Sequence, residues 1–191
     1  MVKRKTGDKL GDIREATVAE VVECGSSAAS INAIAKRAGL SVGTVYRYYE
    51  NKEQLLRAAY IAIKTDLHDL MMAAVGNARN SKAKIRAMWF AVLDFSYQRP
   101  QDFLFAEVIM NETILHPDDK QIIAAMTEQS RTIIVEAIAD GHVRAIDVQA
   151  IITVLAAPAR QLGRAAAFSG KEPDPANAEQ VFNLCWHAIE I

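Results

Sequence analysis

Along most of this chain apolar side chains return every three or four residues, and Gly, Pro or a small polar residue separates one run from the next. Such spacing lines up one face of a helix, which repeats every 3.6 residues, whereas a strand repeats every two. Val, Ile and Thr follow the same helical spacing, with no strand-like alternation between turns. Gly25, Gly39, Gly141 and Gly170 read as helix stops, because glycine adopts the left-handed C-terminal cap cheaply. Ser30, Ser41, Asn51 and Asp147 read as N-caps, and Pro100, Pro117 and Pro175 as helix openers. The expected helices span residues 11–24, 31–38, 42–48, 52 into the seventies, 82–99, 100–115, 117–140, 147–168 and 175 to the end. The expectation is an all-α fold of about nine helices, with Pro158 the one proline away from a joint.

With 51% hydrophobic residues the chain has material for a real core. No apolar run approaches the ~20 residues of a membrane span. No apolar segment of the signal-peptide kind follows the basic, polar residues 1–10, so a cytoplasmic location is expected. Cys24 and Cys185 make neither a disulfide framework nor a zinc spacing, and are expected as buried free thiols. His68, His116, His142 and His187 are scattered and read as surface or capping residues. No nucleophile elbow, phosphate-binding loop, dinucleotide fingerprint or metal-binding histidine pair is present, so no catalytic residue, metal or cofactor is expected. The net charge of −1 hides a split. Residues 1–60 carry ten Lys/Arg and seven Asp/Glu, a net +3, and the remainder carries −4. A basic head on an acidic body suggests a nucleic-acid contact at the head.

The most informative stretch is Ser30 to Lys52, SINAIAKRAGLSVGTVYRYYENK. It places two short helices either side of a tight turn at Gly39. Ala35, four residues before that glycine, is small enough for two helices to cross steeply. Ile31, Ile34, Ala38, Leu40 and Val45 supply a shared core. The second helix then shows Thr44, Arg47 and Tyr48 outward, with Tyr46 near the edge. Hydroxyl and guanidinium groups there suit base edges and phosphates in a major groove, which is helix-turn-helix logic.

This stretch, with Thr44-Val45-Tyr46-Arg47-Tyr48-Tyr49 followed by Asn51-Lys52-Glu53-Gln54-Leu55-Leu56, resembles the TetR/AcrR family of regulators. Tyr49 stands where phenylalanine is commonest in the family pattern. The motif covers residues 10–60; beyond it, length and helical outline carry the likeness. The resemblance implies a helix-turn-helix DNA-binding domain over residues 1–57 and a ligand-binding and dimerisation domain over 58–191. It implies that Ser30 and Ser41 donate to phosphates, although a serine before a helix is also a plain cap. Gly43 and Thr44 would let the recognition helix come close. Tyr46 would touch the backbone or a thymine methyl, and Arg47 and Tyr48 would set specificity. Lys52 would meet a phosphate at the start of the fourth helix, and Lys3, Arg4 and Lys5 would add a basic arm.

In the body, small residues from Ala156 to Ala167 allow close helix approach, and the last helix is apolar on two sides. Ala178, Val181, Phe182, Cys185 and Ile189 form one side, Leu184 and Ala188 the other. One face docks a terminal helix on its own chain; the second suggests a partner chain. The resemblance implies a homodimer through the last two helices, on a pseudo-palindromic operator in double-stranded DNA. It also places a small-molecule effector among the middle helices. The aromatic, apolar, serine and methionine candidates there are Trp89, Val92, Ser96, Phe103, Met110 and Met126, which suit an effector with a sizeable apolar part, although such a stripe is more often plain core. The implied function is a ligand-responsive regulator, a repressor by family habit. An enzyme finds no motif to stand on, and a protein-binding adaptor that has lost DNA binding is opposed by the intact 44–52 stretch.

Overall fold

The computed structural model describes residues 8–76, 78–110 and 114–191. Among them nine helices form: α1 Lys9–Cys24, α2 Ile31–Ala38, α3 Val42–Tyr46, α4 Lys52–Val75, α5 Ser81–Gln98, α6 Pro100–Ile109, α7 Pro117–Ala139, α8 Val148–Ser169 and α9 Pro175–Ile189. The described residues form no strand, only an isolated antiparallel bridge between Val143 and Glu190. Among the described residues no helix is long and apolar enough to cross a membrane.

The ends of the helices follow local chemistry. Ser30, Ser41, Asn51 and Asp147 each accept a backbone N–H of the first turn, from Ala33, Thr44, Gln54 and Ala150. Asp8 and Asn80 do the same for α1 and α5, starting both slightly earlier than expected. Gly39 closes α2 at φ 70°, and the next amide, that of Leu40, reaches back to the Ala35 carbonyl at 2.9 Å. A residue with a side chain pays strain at that φ.

Two helices end sooner than the apolar pattern predicts. α3 stops at Tyr46, and Arg47 and Tyr48 continue as a turn. Their amides bond to carbonyls three residues back, Thr44 at 3.3 Å and Val45 at 3.0 Å, which tightens the last turn. α6 stops at Ile109 rather than near 115, and Ile114 to His116 lie outside any helix. A residue before proline avoids the helical region, and His116, before Pro117, is extended with ψ 165°. Ile114 and Leu115 pack on the core from this non-helical segment, so their apolar spacing reflects burial and not a helix.

Three cores stack along the molecule. In the head, Ile13 and Ala16 of α1 meet Ile31, Ile34 and Ala35 of α2, Val45 of α3 and Leu55 of α4. The middle core joins Val18 and Val21 of α1 to Leu56, Ala59, Tyr60 and Ile63 of α4, Phe95 of α5 and Phe103, Phe105 and Ile109 of α6. The largest core gathers α5, α7, α8 and α9 around Trp89, Phe182 and Trp186. The Trp89 and Phe182 rings meet edge-on with centroids 5.7 Å apart. The Trp89 indole donates to the Leu155 carbonyl at 2.9 Å. That bond lies close to Pro158, which sits inside α8 and offers no amide to the carbonyl of Val154.

Cys185 is buried as expected, but Cys24 is exposed. It stands in the last turn of α1, beyond Val21, the last core residue of that helix. α8 lies close against Ser96 of α5 and Phe103 of α6 at Gly163. A Cβ there would lie 2.9 Å from Ser96 Oγ, 3.0 Å from Ser96 Cβ and 3.2 Å from the Phe103 ring. Ser96 is fully buried and its hydroxyl is held by the Leu93 carbonyl at 2.7 Å, so it has little room to yield. Gly163→Ala should therefore cost stability, about 1–3 kcal/mol for overpacking. Chemical denaturation checks this; an unchanged midpoint would mean that the contact relaxes freely.

Candidate nucleic-acid interface and internal cavity

The head presents an outer face built from α3 and the turn after it. Val45 is fully buried and fixes the helix rotation. Tyr46 and Tyr48 are then 53% and 43% exposed, large aromatic surfaces left in solvent. Arg47 between them is exposed, and no hydrogen bond or ion pair engages it among the described residues. Ser41 Oγ and Thr44 Oγ1 are bonded to each other at 2.8 Å, so each hydroxyl has a local partner besides its outer face. Tyr49 turns inward against the head core, and burial pushes its phenol pKa up.

Gly43 is instructive because the chain itself gives no reason for it. Its φ is not positive, and a Cβ would find only Ser41 Oγ, 4.0 Å away. Glycine inside a helix costs about 1 kcal/mol relative to alanine. Neither a turn nor a neighbouring helix repays that cost, and the open side is the exposed one.

Lys52 behaves differently from the others. Its ammonium donates to three backbone carbonyls, Ser26 at 3.1 Å, Ser27 at 3.2 Å and Ala29 at 3.1 Å. The three donors of a lysine are thus all occupied by the segment between α1 and α2. The first residue of α4 is thereby clamped to the loop that launches α2. The basic arm of Lys3, Arg4 and Lys5 lies outside the described residues.

Beneath the head, α4, α5, α6, α7 and α8 enclose a cavity of about 280 Å³. Trp89, Val92, Phe103 and Met110 line it, as expected of an effector site. Ser96 does not: it is sealed behind Gly163. Met126 does not either, while Thr127 and Ser130 of the same helix do. One residue turns a helix by about 100°, so a one-place error in choosing the inward residue selects the wrong face. Met110, Thr127 and Ala156 are exposed as well as lining, and mark the mouth.

The cavity also holds charges that the apolar pattern hid. Glu107 of α6 receives two parallel hydrogen bonds from Arg160 of α8, both 2.9 Å. Lys64 of α4 lines the same space with no hydrogen bond or ion pair to its ammonium among the described residues. Burial pushes the Lys64 pKa down, Arg160 pushes it the same way, and Glu107 opposes both. Tyr60, one turn before Lys64, feels the same Glu107 and Arg160 charges. The available signal was a lysine one place after Ile63 in the α4 stripe, and an arginine after the small residues of α8.

These features define a helix-turn-helix DNA-binding regulator with an internal cavity in its helical body. Residues 13–59 match the family model for bacterial regulatory proteins of the tetR family, and residues 42–191 match that for a tetracyclin repressor-like C-terminal domain. The chain belongs to the TetR family of transcription regulators. A solved TetR family transcription regulator from Marinobacter aquaeolei VT8 is 26% identical, with a TM-score of 0.87 over 95% of both chains. One from Haemophilus influenzae RD shares 19% identity, with a TM-score of 0.81 over 99% of this chain and 100% of the other. The transcriptional regulator FadR from Bacillus subtilis, solved in complex with stearoyl-CoA, shares 18% identity, with a TM-score of 0.77 over 94% of this chain and 99% of that one.

The Lys52 geometry makes a specific prediction. Lys52→Ala removes three charge-assisted bonds and frees the α1–α2 connection, and should cost about 1–3 kcal/mol of stability. Thermal melting of the full chain checks this. An unchanged melting temperature, together with a flatter salt dependence of DNA binding, would assign Lys52 to a phosphate instead.

Proposed function

We propose that the protein binds a pseudo-palindromic operator as a homodimer and changes its DNA affinity when a small molecule enters the cavity. The observation that carries this reading is the double membership of α4. Leu55 belongs to the head core, while Ile63, Lys64, Leu67 and Met71 line the cavity. The head, residues 1–57, and the body, residues 58–191, thus meet inside one continuous helix. A ligand that favours one tilt of α4 favours one placement of α3. It acts only through its different affinity for the two placements. Release from DNA, hence repression lifted by the effector, is the sense that the family resemblance supports.

On this reading Tyr46, Arg47 and Tyr48 face the groove, and Gly43 lets the backbone come close to DNA. Ser30 and Ser41 would present their hydroxyls to phosphates while capping α2 and α3, and the Thr44 hydroxyl beside Ser41 would join them. The bound stearoyl-CoA of the FadR structure supports an effector with an apolar part. A cytoplasmic location follows from the regulatory role.

α8 and α9 leave apolar side chains uncovered, and these mark the dimer face. α9 buries Ala178, Phe182, Cys185, Trp186 and Ile189 on its own body. Leu184 on the other side is 71% exposed, and Phe168 at the end of α8 is 68% exposed. Val154 is exposed on α8 as well. A second copy across a two-fold axis would cover these residues and place the recognition helices about 34 Å apart, one turn of DNA.

Selection of bound duplexes from a random pool, at a stated salt concentration, tests the reading. The expected result is a pseudo-palindrome; enrichment of no sequence by the folded chain would overturn it. Arg47→Ala should change the selected bases, and an identical profile would remove Arg47 from base reading. Leu184→Glu should turn the dimer into a monomer in size-exclusion chromatography with light scattering, and weaken operator binding at least tenfold. A dimer that survives the substitution would place the interface elsewhere.

A further inference from the structure

We infer that the cavity accepts an amphipathic monoanion, its apolar body against Trp89, Val92 and Leu67 and its negative head between Lys64 and Arg160. This rests on the reading above that the cavity is the effector site, and adds the chemistry of the effector.

Among the described residues, Lys64, Arg160 and Glu107 are the only Lys, Arg, Asp or Glu side chains lining the cavity. Arg160 and Glu107 neutralise each other through two bonds. Lys64 remains, a cation inside an apolar lining with none of its donors used among the described residues. Burial of an unpaired charge is costly, and a group of opposite charge offsets that cost. One negative charge balances the three side chains; two would overshoot. A cationic ligand would face the free ammonium and would have to take Glu107 from Arg160. A neutral ligand would leave the ammonium uncompensated. The rest of the lining is largely aliphatic, aromatic and thioether, which calls for a hydrocarbon body. At about 280 Å³ the space lies at the small end for ligand pockets, which suits a compact amphiphile.

The test uses the full chain and three acids, octanoate, decanoate and 4-phenylbutanoate. Each is compared with the alcohol of the same skeleton by isothermal titration below its micellar concentration. At least one acid should bind tenfold or more tightly than its alcohol. Lys64→Met should reduce that ratio below threefold while leaving the alcohol's affinity in place. Its melting temperature should hold or rise, because a half-buried ammonium without a hydrogen-bond partner among the described residues becomes an apolar group. Glu107→Gln, which frees Arg160, should widen the ratio. Alcohols that bind as well as their acids would overturn the inference. So would an acid preference that survives Lys64→Met, or no binding by any of the six to the folded protein. Operator binding is read separately. An acid that binds without altering DNA affinity would refute the regulatory reading and leave the ligand class standing. Release of DNA by neutral compounds alone would do the reverse.

Discussion

Everything in this molecule hangs on α4, the helix of 24 residues that runs from the head into the body. At 1.5 Å per residue it is a rod of about 36 Å. Its first residue, Lys52, is tied to three carbonyls of the α1–α2 connection. Its first turns supply Leu55 to the head core and Leu56 to the middle core. Further along, Lys64 and Leu67 face the cavity. No flexible linker separates the two halves, so a change in the direction of the rod is felt at both ends. An ion network braces the same rod: Asp66 of α4 meets Arg14 of α1 at 3.2 Å and Arg99 at 2.8 Å, and Arg99 also binds Asp102 of α6. Arg14, Arg99 and Asp66 are each about one-third exposed, so the network contributes modest stability. Its use is geometric. It holds α1, α4 and α6 in register by contacts that can be exchanged, where a buried apolar core would resist.

The head shows how little structure a DNA-facing helix needs when its neighbours hold it. α3 has five residues and could not persist alone, since isolated helices below about 12 residues are marginal. Ser41 caps it, Val45 pins it to the core, and Tyr49 anchors the chain as it leaves. Those three positions satisfy the fold. Gly43, Tyr46, Arg47 and Tyr48 are then left without an internal task. A residue type that costs the fold something and finds no return inside the chain points to a requirement outside it. Gly43 meets that description most cleanly, because its conformation would suit alanine.

The helices were legible because their signals are local. Caps at Ser30, Ser41, Asn51 and Asp147, stops at Gly39 and Gly170, and openers at Pro100 and Pro175 act within one turn of where they stand. The early ends of α3 and α6 were not legible, because tertiary contacts of Tyr49, Ile114 and Leu115 preserve an apolar spacing after the helix has finished. The cavity was half legible. Trp89, Val92, Phe103 and Met110 announce an apolar interior, but its charged end is assembled from α4, α6 and α8. Lys64, Glu107 and Arg160 are 43 to 96 residues apart, and each alone looks like an ordinary solvated side chain. Lys52 has a role that its spacing does not announce: a lysine at a helix start reads as an anion ligand, and its ammonium here donates to carbonyls more than twenty residues earlier.

The position of the charged end also gives the cavity a direction. Lys64 rides on α4, whereas Arg160 sits on α8, whose outer side carries the exposed Val154 and Phe168. In the dimer proposed above, α8 is the fixed frame and α4 the element free to tilt. Before a ligand enters, Glu107 of α6 occupies Arg160, so the pull between α4 and α8 is weak. On the proposed reading, an anion that satisfies Lys64 and Arg160 together would exert that pull, and the end of α4 that carries Lys52 would follow. The head would then turn by way of its own clamp. Such a lever needs no contact between ligand and recognition helix. It needs only that the anion binds more tightly in one α4 orientation than in the other, and an ammonium on one helix with a guanidinium on another would supply that difference wherever a tilt of α4 changes their separation.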